Sequence, residues 1–224
     1  MIENHDKFNL QFLIRQPSKY SAISRAVILL HGVGSNEKDL FGLATSFPND
    51  FMIISPRAPI ALGGGRYAWY EVDFSTGRPL FNEEQEIKSR RMLADFIITL
   101  KRAYQIDELF VGGFSQGGIM SYSIGLIWPG LVNGIFALSS RILSETTFLV
   151  KNSEALQKLP VFIAHGIQDL TLPVLYAREA KAYLQQMDIY VSYHEYEMGH
   201  QITNAVLSDL ILWLNETTFN PENI

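Results

Sequence analysis

The sequence predicts an α/β fold in which a mostly parallel central sheet carries helices on both faces. Two features of the pattern lead to this prediction. Short runs of almost continuous apolar residues recur along the chain, as expected of strands that are buried on both faces. Stretches with helical periodicity lie between those runs, and strands that alternate with helices form parallel sheets. We therefore expect the 224 residues to form a single domain, 1–224, without an internal repeat.

The predicted strands are of two kinds. Residues 8–14 alternate apolar with polar side chains, which is typical of a half-buried strand at a sheet edge. The run VSYHEYE, at 191–197, is also predicted to be a strand. The remaining strands are apolar runs that each end in Gly, Pro, Ser or His, namely 26–32, 51–56, 109–113, 134–140 and 160–166.

Four helices are predicted between the strands. The clearest is 83–104, which places Leu93, Ile97 and Leu100 at helical spacing and has Asn82 in position to cap its first turn. Its basic run KSRRM follows acidic residues by four positions, which predicts a solvated helix face. The other helices are expected at 116–127, 174–187 and 201–214.

Residues 56–82 form the main irregular region of the predicted fold. Loops of this length within a compact domain are more often functional than idle. Ligands of open parallel sheets bind at the carboxyl ends of the strands. We therefore expect the chemistry directly after the apolar runs, with residues 56–82 shaping much of the site.

The composition excludes several classes of protein. A net charge of −5 argues against a nucleic-acid partner. The chain has no cysteine, which rules out disulfides, thiol nucleophiles and cysteine-ligated zinc sites. The segment 1–17 lacks the basic and apolar regions of a signal peptide, and no apolar run is long enough to span a bilayer. We therefore expect a soluble, cytoplasmic protein without a transmembrane segment.

The motif GFSQG, at 113–117, contains the candidate nucleophile, Ser115. It matches G-x-S-x-G, follows a predicted strand and opens a predicted helix, as the nucleophile elbow of a serine hydrolase does. The sharp turn of an elbow leaves room only for small residues two positions before and after the serine, where Gly113 and Gly117 stand. The alternative interpretation is a glycine-rich turn that packs a helix on a sheet.

A serine hydroxyl needs a base to take its proton, and five histidines are available. His31 and His165 each end a strand before a glycine, a position typical of structural histidines. His194 lies within a predicted strand, and His5 belongs to the N-terminal segment. His200 follows the last predicted strand and precedes the last predicted helix, in a carboxyl-end loop. His200 is therefore the predicted base.

The base in turn needs a carboxylate to orient it. Asp188 and Asp209 lie at the end of a predicted helix and within one, where solvated charges are expected. Asp169 follows a strand directly, in AHGIQDLTLP. The resulting order Ser115, Asp169, His200 is the order of the triad in α/β-hydrolases, and it places each residue at the carboxyl end of a strand.

Acyl transfer also needs donors for the oxyanion that forms during attack. The N–H of Gln116, directly after Ser115 at a helix N-terminus, is one expected donor. The segment LLHGVGSNEKDL, at 29–40, supplies the other, because Gly32 and Gly34 let the backbone turn inward and leave the Val33 N–H as donor. A phosphate-binding loop is the alternative, but no G-K-[ST] follows. We expect no metal ion and no cofactor.

Together these segments resemble the phospholipase/carboxylesterase family, small cap-less α/β-hydrolases related to acyl-protein thioesterases. The resemblance rests on LLHGVGSNEKDL, GGFSQGGIMSY, AHGIQDLTLPV and MGHQI, and it runs from about residue 8 to 214. It implies an α/β-hydrolase fold without a large cap domain. It also implies the triad Ser115, Asp169 and His200, with oxyanion donors at Val33 and Gln116.

The resemblance further implies that YAWYE, at 67–71, lies over the acyl site, with Trp69 binding the substrate. Two departures concern the acyl-protein thioesterase branch. That branch usually has Gly-Asp after the first HGxG element, where this chain has Ser35 and Asn36. The branch also usually has a different run before the triad histidine, where this chain has YHEYEMGH. These departures argue against a protein-thioester substrate and leave the fold and the triad unchanged.

The sequence therefore predicts a serine carboxylesterase that hydrolyses carboxylic esters of small to medium acyl groups through an acyl-enzyme. A thioesterase or lysophospholipase with the same triad is the nearest alternative. The alternative from another class is a catalytically silent α/β-hydrolase fold that binds a ligand or a partner. Such a protein usually lacks a triad residue, and here all three positions are filled. The apolar content of residues 56–82 would also allow a homodimer.

Overall fold

The computed structural model describes residues 2–3, 7–73 and 80–219, in which strands alternate with helices. The strands are β1 (Ile2–Glu3), β2 (Phe12–Arg15), β3 (Arg25–Leu30), β4 (Phe51–Pro56), β5 (Ile60–Gly63), β6 (Arg66–Ala68), β7 (Val72–Asp73), β8 (Leu80–Phe81), β9 (Glu108–Phe114), β10 (Gly134–Leu138), β11 (Val161–Gly166) and β12 (Val191–Tyr196). The α-helices are α1 (Lys38–Phe41), α2 (Glu83–Tyr104), α3 (Gln116–Ile127), α4 (Ser144–Thr147), α5 (Glu154–Gln157), α6 (Leu175–Gln185) and α7 (Asn204–Phe219).

Eight of these strands form one sheet, in the order β1-β2-β4-β3-β9-β10-β11-β12. β2 is antiparallel to both of its neighbours, whereas each pair from β4 to β12 is parallel. A mostly parallel sheet with helices on both faces and one reversed strand near its edge is the α/β-hydrolase fold. The predicted fold class is therefore confirmed.

The central strands are apolar on both sides because the sheet separates two hydrophobic cores. All six residues of β3 are buried, and successive side chains of a strand point to opposite faces. Ile28 and Leu30 belong to the core that α2, α3 and α6 cover. Val27 and Leu29 belong to the core under α1 and α7. Burial on both faces explains the continuous apolar run in this part of the sequence.

Six of the predicted strands occur within two residues of their expected bounds. The strands that begin at Arg25 and Gly134 end earlier than predicted, because the residues after Leu30 and Leu138 leave the sheet and form loops at its carboxyl edge. The prediction for 8–14 is wrong in extent. That strand begins only at Phe12, and Leu10 packs into the core from the segment before it.

The helices follow the predicted pattern most closely where a cap or a motif marks their start. α2 and α3 have their predicted bounds, and the Asn82 side chain accepts a hydrogen bond from the Gln85 N–H at 3.1 Å. α7 continues to Phe219, five residues beyond its predicted end, through NETTF, which carries no apolar periodicity. Among the described residues, no helix combines the length and the apolarity needed to cross a membrane.

The prediction that KSRRM lies on a solvated helix face is only half correct. Lys88 is exposed, together with Glu84 one turn before it. Glu86 and Arg90 are buried instead, and they form an ion pair at 3.0 Å. The Arg90 guanidinium also lies 5.7 Å above the Trp128 ring. The i,i+4 spacing was visible in the sequence, but the burial of this pair depends on the tertiary contact with Trp128.

The region 56–82 is more regular than predicted, because it contains two short antiparallel pairs. β5 pairs with β6 around a tip in which Gly63, Gly64 and Gly65 have φ values of 83°, 61° and 74°. Glycine adopts this left-handed conformation without the steric cost that a side chain brings. β7 pairs with β8, and the residues between them, 74–79, lie outside the described part of the chain.

The turn between β9 and α3 lies directly against the backbone of β3. A Cβ atom on Gly113 would lie 2.2 Å from the Leu30 carbonyl oxygen, and a Cβ atom on Gly117 would lie 1.8 Å from the same oxygen. Real Cβ contacts are not that short, and a main-chain oxygen in the middle of a sheet cannot move away. Both outer glycines of G-x-S-x-G are therefore required by the packing of this turn on β3.

We expect Gly117→Ala to destabilise the protein by at least about 3 kcal/mol, because the new methyl group would overlap the Leu30 carbonyl. Gly130→Ala is the matched control, since no atom lies within 4 Å of the Cβ position there and Gly130 is exposed. The control should change the free energy of unfolding by less than about 1 kcal/mol. Urea denaturation of the three proteins gives both values, and a Gly117→Ala protein as stable as the control would contradict this packing.

Candidate active site

Ser115 occupies the turn between β9 and α3 in a backbone conformation that other residues rarely adopt. Its φ and ψ are 54° and −117°, a combination that is strained for any residue with a side chain. Its N–H donates to the Leu138 carbonyl at 2.9 Å. Its own carbonyl accepts hydrogen bonds from the Ser140 hydroxyl at 3.0 Å and from the Ile119 N–H at 3.1 Å. Three hydrogen bonds thus hold the strained residue at the start of a 12-residue helix.

Asp169 and His200 form a hydrogen-bonded pair at the same edge of the sheet. His200 Nδ1 lies 2.7 Å from Asp169 Oδ2. The other carboxylate oxygen of Asp169 accepts the N–H groups of Thr171 at 2.9 Å and Leu172 at 2.8 Å. The Asp169 side chain is fully buried, whereas 19% of the His200 side chain is exposed. The carboxylate is therefore fixed on one side by the backbone and bound on the other by the imidazole.

The imidazole of His200 packs next to the serine turn. Its ring centroid lies 4.6 Å from that of Phe114, the residue directly before Ser115. Ser115 follows β9, Asp169 follows β11 and His200 follows β12, and the strand order brings these three carboxyl ends to one side of the sheet. The structure thus places the three predicted triad residues at a single edge.

A second histidine, His165, lies on the buried side of Asp169. Its Nε2 donates to the Leu172 carbonyl at 2.7 Å and is 3.4 Å from Asp169 Oδ2. Burial lowers the pKa of this imidazole, which favours the neutral ring. Nδ1 has no partner among the described residues, as suits the unprotonated nitrogen of that ring. His165 therefore fixes Leu172, whose N–H binds the carboxylate of Asp169.

His31 has a corresponding place behind the loop that follows β3. Its Nε2 accepts the Ala58 N–H at 3.1 Å, so the proton of the neutral ring must be on Nδ1, which lies 2.8 Å from the Gly32 carbonyl oxygen. Burial lowers the pKa of this ring as well. The Gly32 carbonyl and the Val33 N–H belong to one planar trans peptide and point in opposite directions. By holding that carbonyl, His31 fixes the direction of the Val33 N–H.

The Val33 N–H also belongs to a tight turn. The Ser35 N–H donates to the Gly32 carbonyl at 3.3 Å, and Gly34, with φ of 78°, occupies the position at which a type II turn needs a positive φ. A Cβ atom on Gly32 would lie 3.5 Å from Cβ of Ser115, so this loop packs beside the serine. Within the described residues, no hydrogen bond uses the N–H of Val33 or of Gln116. Both amides are thus available to a ligand.

The structure gives Trp69 a different place from the one that the resemblance implies. The side chain is completely buried, with an exposed fraction of 0%. Its indole N–H donates to the His31 carbonyl at 3.0 Å, and its backbone N–H donates to the side-chain oxygen of Gln116 at 2.8 Å. A side chain without exposed surface cannot contact a substrate. Trp69 therefore lies beneath the site and supports it.

An open cavity of about 610 Å³ lies beside Val33. Pockets for small ligands have volumes of about 300–1,000 Å³, so this one can hold a small organic group. Glu71, Asp73 and Asn82 line part of it. The apolar part of the lining comes from Val33, Leu62, Val72, Leu80 and Phe81.

The remaining aspartates and histidines of the sequence comparison lie away from this edge. Asp188 lies in the turn after α6, in a left-handed conformation with φ of 59°. Asp209, on α7, accepts a hydrogen bond from the Tyr196 hydroxyl at 2.7 Å. His194 is on β12 and pairs with Ser192 at 2.9 Å, and His5 lies outside the described residues.

Residues 14–218 match the sequence model of the phospholipase/carboxylesterase family. The chain belongs to this family. The members of this family are serine hydrolases, and the relatives of this chain include both esterases and thioesterases. An acyl-protein thioesterase 1 from Yarrowia lipolytica is 26% identical over 91% of this chain and 96% of its own length. A probable carboxylesterase SOBER1-like protein from Arabidopsis thaliana is 27% identical over 87% of this chain and 80% of its own length.

Solved structures give the same picture of the fold. The crystal structure of esterase PE8 superposes with a TM-score of 0.80 and 28% sequence identity, covering 93% of this chain and 99% of the esterase. The similarity in fold therefore extends over almost the whole chain.

The two buried histidines predict how stability depends on pH. Because burial lowers the pKa of His31 and His165 in the folded protein, protonation below about pH 6.5 favours the unfolded chain. Their contribution to stability is present above that pH and is lost as the pH falls. We expect the free energy of unfolding to decrease from about pH 7 to about pH 5, by up to about 1.4 kcal/mol per pH unit for each histidine.

Urea denaturation over this pH range measures the slope. His165→Gln should reduce it, because an amide can still donate to the Leu172 carbonyl but does not titrate. His194→Gln, a change at a half-buried histidine of β12, serves as the control. Equal slopes in the wild type and in His165→Gln would show that protonation of His165 does not control acid unfolding.

Proposed function

We propose that the protein is a serine carboxylesterase that hydrolyses carboxylic esters of small to medium acyl groups. The observation that carries the proposal is the 2.7 Å hydrogen bond between buried Asp169 and His200, next to a serine held in a strained turn. A nucleophile, a base and an orienting carboxylate at one sheet edge are the parts that acyl transfer requires.

In the first half of the reaction, Ser115 Oγ attacks the acyl carbon while His200 accepts the hydroxyl proton. The carbonyl electron pair moves to oxygen, and the Val33 and Gln116 N–H groups bind the resulting oxyanion. The bond to the alcohol oxygen then breaks, and His200 donates its proton to that oxygen. Asp169 keeps the imidazole oriented and stabilises it while it carries the extra proton.

In the second half, water takes the place of the alcohol. It attacks the acyl-enzyme and gives a proton to His200, and collapse of the second oxyanion releases the acid and returns the proton to Ser115. The N-terminus of α3 adds a favourable electrostatic environment, because the positive end of the helix dipole lies at the residue whose N–H binds the oxyanion. Both halves use the same residues with the same geometry.

The cavity beside Val33 supports a small to medium acyl group. Its apolar side chains suit a hydrocarbon chain, and one of its lining residues is Val33, whose N–H is a proposed oxyanion donor. The same machinery would cleave a thioester, and the Yarrowia lipolytica relative favours that second candidate. In this chain the two positions that depart from the thioesterase branch have local roles, since Ser35 binds Asp39 at 2.6 Å and Asn36 binds the Gly65 carbonyl at 3.1 Å.

Ser115→Ala tests the nucleophile. We expect it to lower kcat for a nitrophenyl ester by at least about 10⁴-fold and to abolish covalent labelling by a fluorophosphonate, because no other oxygen would occupy the elbow. Ser123→Ala is the matched control, since Ser123 is buried in the same helix and pairs with Thr146 at 3.2 Å. Labelling that survives in Ser115→Ala would refute the assignment. A wild-type protein that is neither active nor labelled would be the silent scaffold.

A substrate series tests the class of ester. We expect kcat/KM to be highest for nitrophenyl esters of short and medium acyl chains, because the partly apolar cavity is open and of limited volume. The same assay should include an acyl-coenzyme A and a lysophospholipid, with Ser115→Ala as the blank for each. A kcat/KM for either of these that exceeds the values of all the nitrophenyl esters would replace carboxylesterase with thioesterase or lysophospholipase.

A further inference from the structure

We infer that the Gln116 side chain and Trp69 together form a clamp that fixes the two proposed oxyanion donors relative to each other. This inference rests on the proposed function, because the donors have a role only if an oxyanion forms. One donor, the Gln116 N–H, follows β9, and the other, the Val33 N–H, lies in the loop after β3. The clamp joins the two loops through residues 69–70, which are hydrogen-bonded to both of them. Trp69 is thus a positioning residue and not a substrate-binding one.

The first half of the clamp is the side-chain amide of Gln116. Its oxygen accepts the Trp69 N–H at 2.8 Å, and its nitrogen donates to the Tyr70 carbonyl at 2.7 Å. Gln116 is 3% exposed, so water does not compete for these bonds. The amide uses its acceptor and a donor toward one short segment of backbone. The residue that supplies one oxyanion donor is therefore bound through its side chain to residues 69–70.

The second half of the clamp is the indole of Trp69. The indole N–H donates to the His31 carbonyl at 3.0 Å, and the ring centroids of Trp69 and His31 are 5.9 Å apart. That carbonyl belongs to the peptide just before the one that carries the Val33 N–H. The Trp69 carbonyl accepts the Ser89 hydroxyl at 2.5 Å, which ties the segment to α2. Both ends of the clamp are therefore buried and hydrogen-bonded.

The segment is also joined to the far side of the same loop. The Gly34 N–H donates to the Tyr67 carbonyl at 2.9 Å, and the Tyr67 N–H donates to the Ser35 carbonyl at 2.8 Å. Residues 67–70 thus contact the loop on both sides of Val33 and reach Gln116 as well. Donors that are aimed before the reaction stabilise the transition state without having to reorganise. We attribute that preorganisation to the clamp.

Trp69→Phe tests the clamp, because it replaces the indole by a smaller aromatic ring that stays buried but has no N–H to donate. We expect kcat for a nitrophenyl ester to fall by about 10-fold and KM to stay within about twofold, since a displaced donor weakens binding of the transition state and not of the ester. The rate of phosphonylation by a fluorophosphonate should fall by a similar factor. Rates are expressed per active site, counted by fluorophosphonate labelling at completion.

Trp213→Phe is the matched control. Trp213 is 4% exposed and packs in the opposite core, and its indole N–H has no hydrogen-bond partner among the described residues. The same Trp-to-Phe change there should leave kcat per active site unchanged. Gln116→Met is a second variant, with a side chain of similar length that removes both amide bonds and should also lower kcat. It serves as the test if Trp69→Phe does not fold, as judged by circular dichroism.

The outcomes separate the clamp from the function that it supports. A kcat per active site equal to that of the wild type in Trp69→Phe and in Gln116→Met, with hydrolysis still dependent on Ser115, would overturn the clamp and leave the proposed function intact. A rise in KM at constant kcat in Trp69→Phe would also overturn it, because that result assigns the indole to ground-state binding. If Trp69→Phe and Trp213→Phe lower the thermal stability equally and neither changes kcat per active site, Trp69 contributes only to core packing.

Discussion

The close approach of the serine turn to the Leu30 carbonyl is the contact on which the rest of the site depends. It requires glycine at 113 and 117, and it brings the end of β9 against the end of β3. The loop after β3 therefore packs beside Ser115, and the Val33 and Gln116 N–H groups lie on neighbouring loops. Asp169 and His200 lie at the same edge of the sheet because β11 and β12 come after β10 in the strand order and run parallel to it. One backbone contact thus brings Ser115 and the two proposed oxyanion donors together, and the strand order adds Asp169 and His200.

Much of the fold could be predicted because its strands are buried on both faces and its motifs lie at strand ends. The run around Ser115 showed a strand, a tight turn and a helix, and α3 has the bounds that this pattern gave. The positions of Asp169 and His200 after strands also followed from local sequence. The predictions that were wrong concern features that depend on tertiary contacts or on very short strands. The burial of Arg90 depends on Trp128, and the strands within 56–82 are too short and too exposed to leave an apolar run.

The roles of His31 and His165 show how a structural residue can serve a chemical site. The sequence predicts a structural role for both, because each ends a strand before a glycine, and both are indeed buried and hydrogen-bonded to backbone. Each ring, however, holds a loop that carries a proposed functional group. In the sequence, the His-Gly pair that ends each strand is what the two loop-holding histidines have in common. Trp69 illustrates the same limit, since a family motif located the residue near the site but could not tell a supporting side chain from a lining one.

The conformation of Ser115 sets catalysis against stability at a single position. A φ of 54° with a ψ of −117° costs a residue with a side chain about 1–3 kcal/mol, whereas glycine adopts it freely. The residue that would suit this turn best is therefore one without a hydroxyl. Optimising the sequence for the folded state alone would place glycine at 115 and remove the proposed nucleophile. Serine keeps this conformation because the hydrogen bonds to its backbone N–H and carbonyl offset the conformational cost.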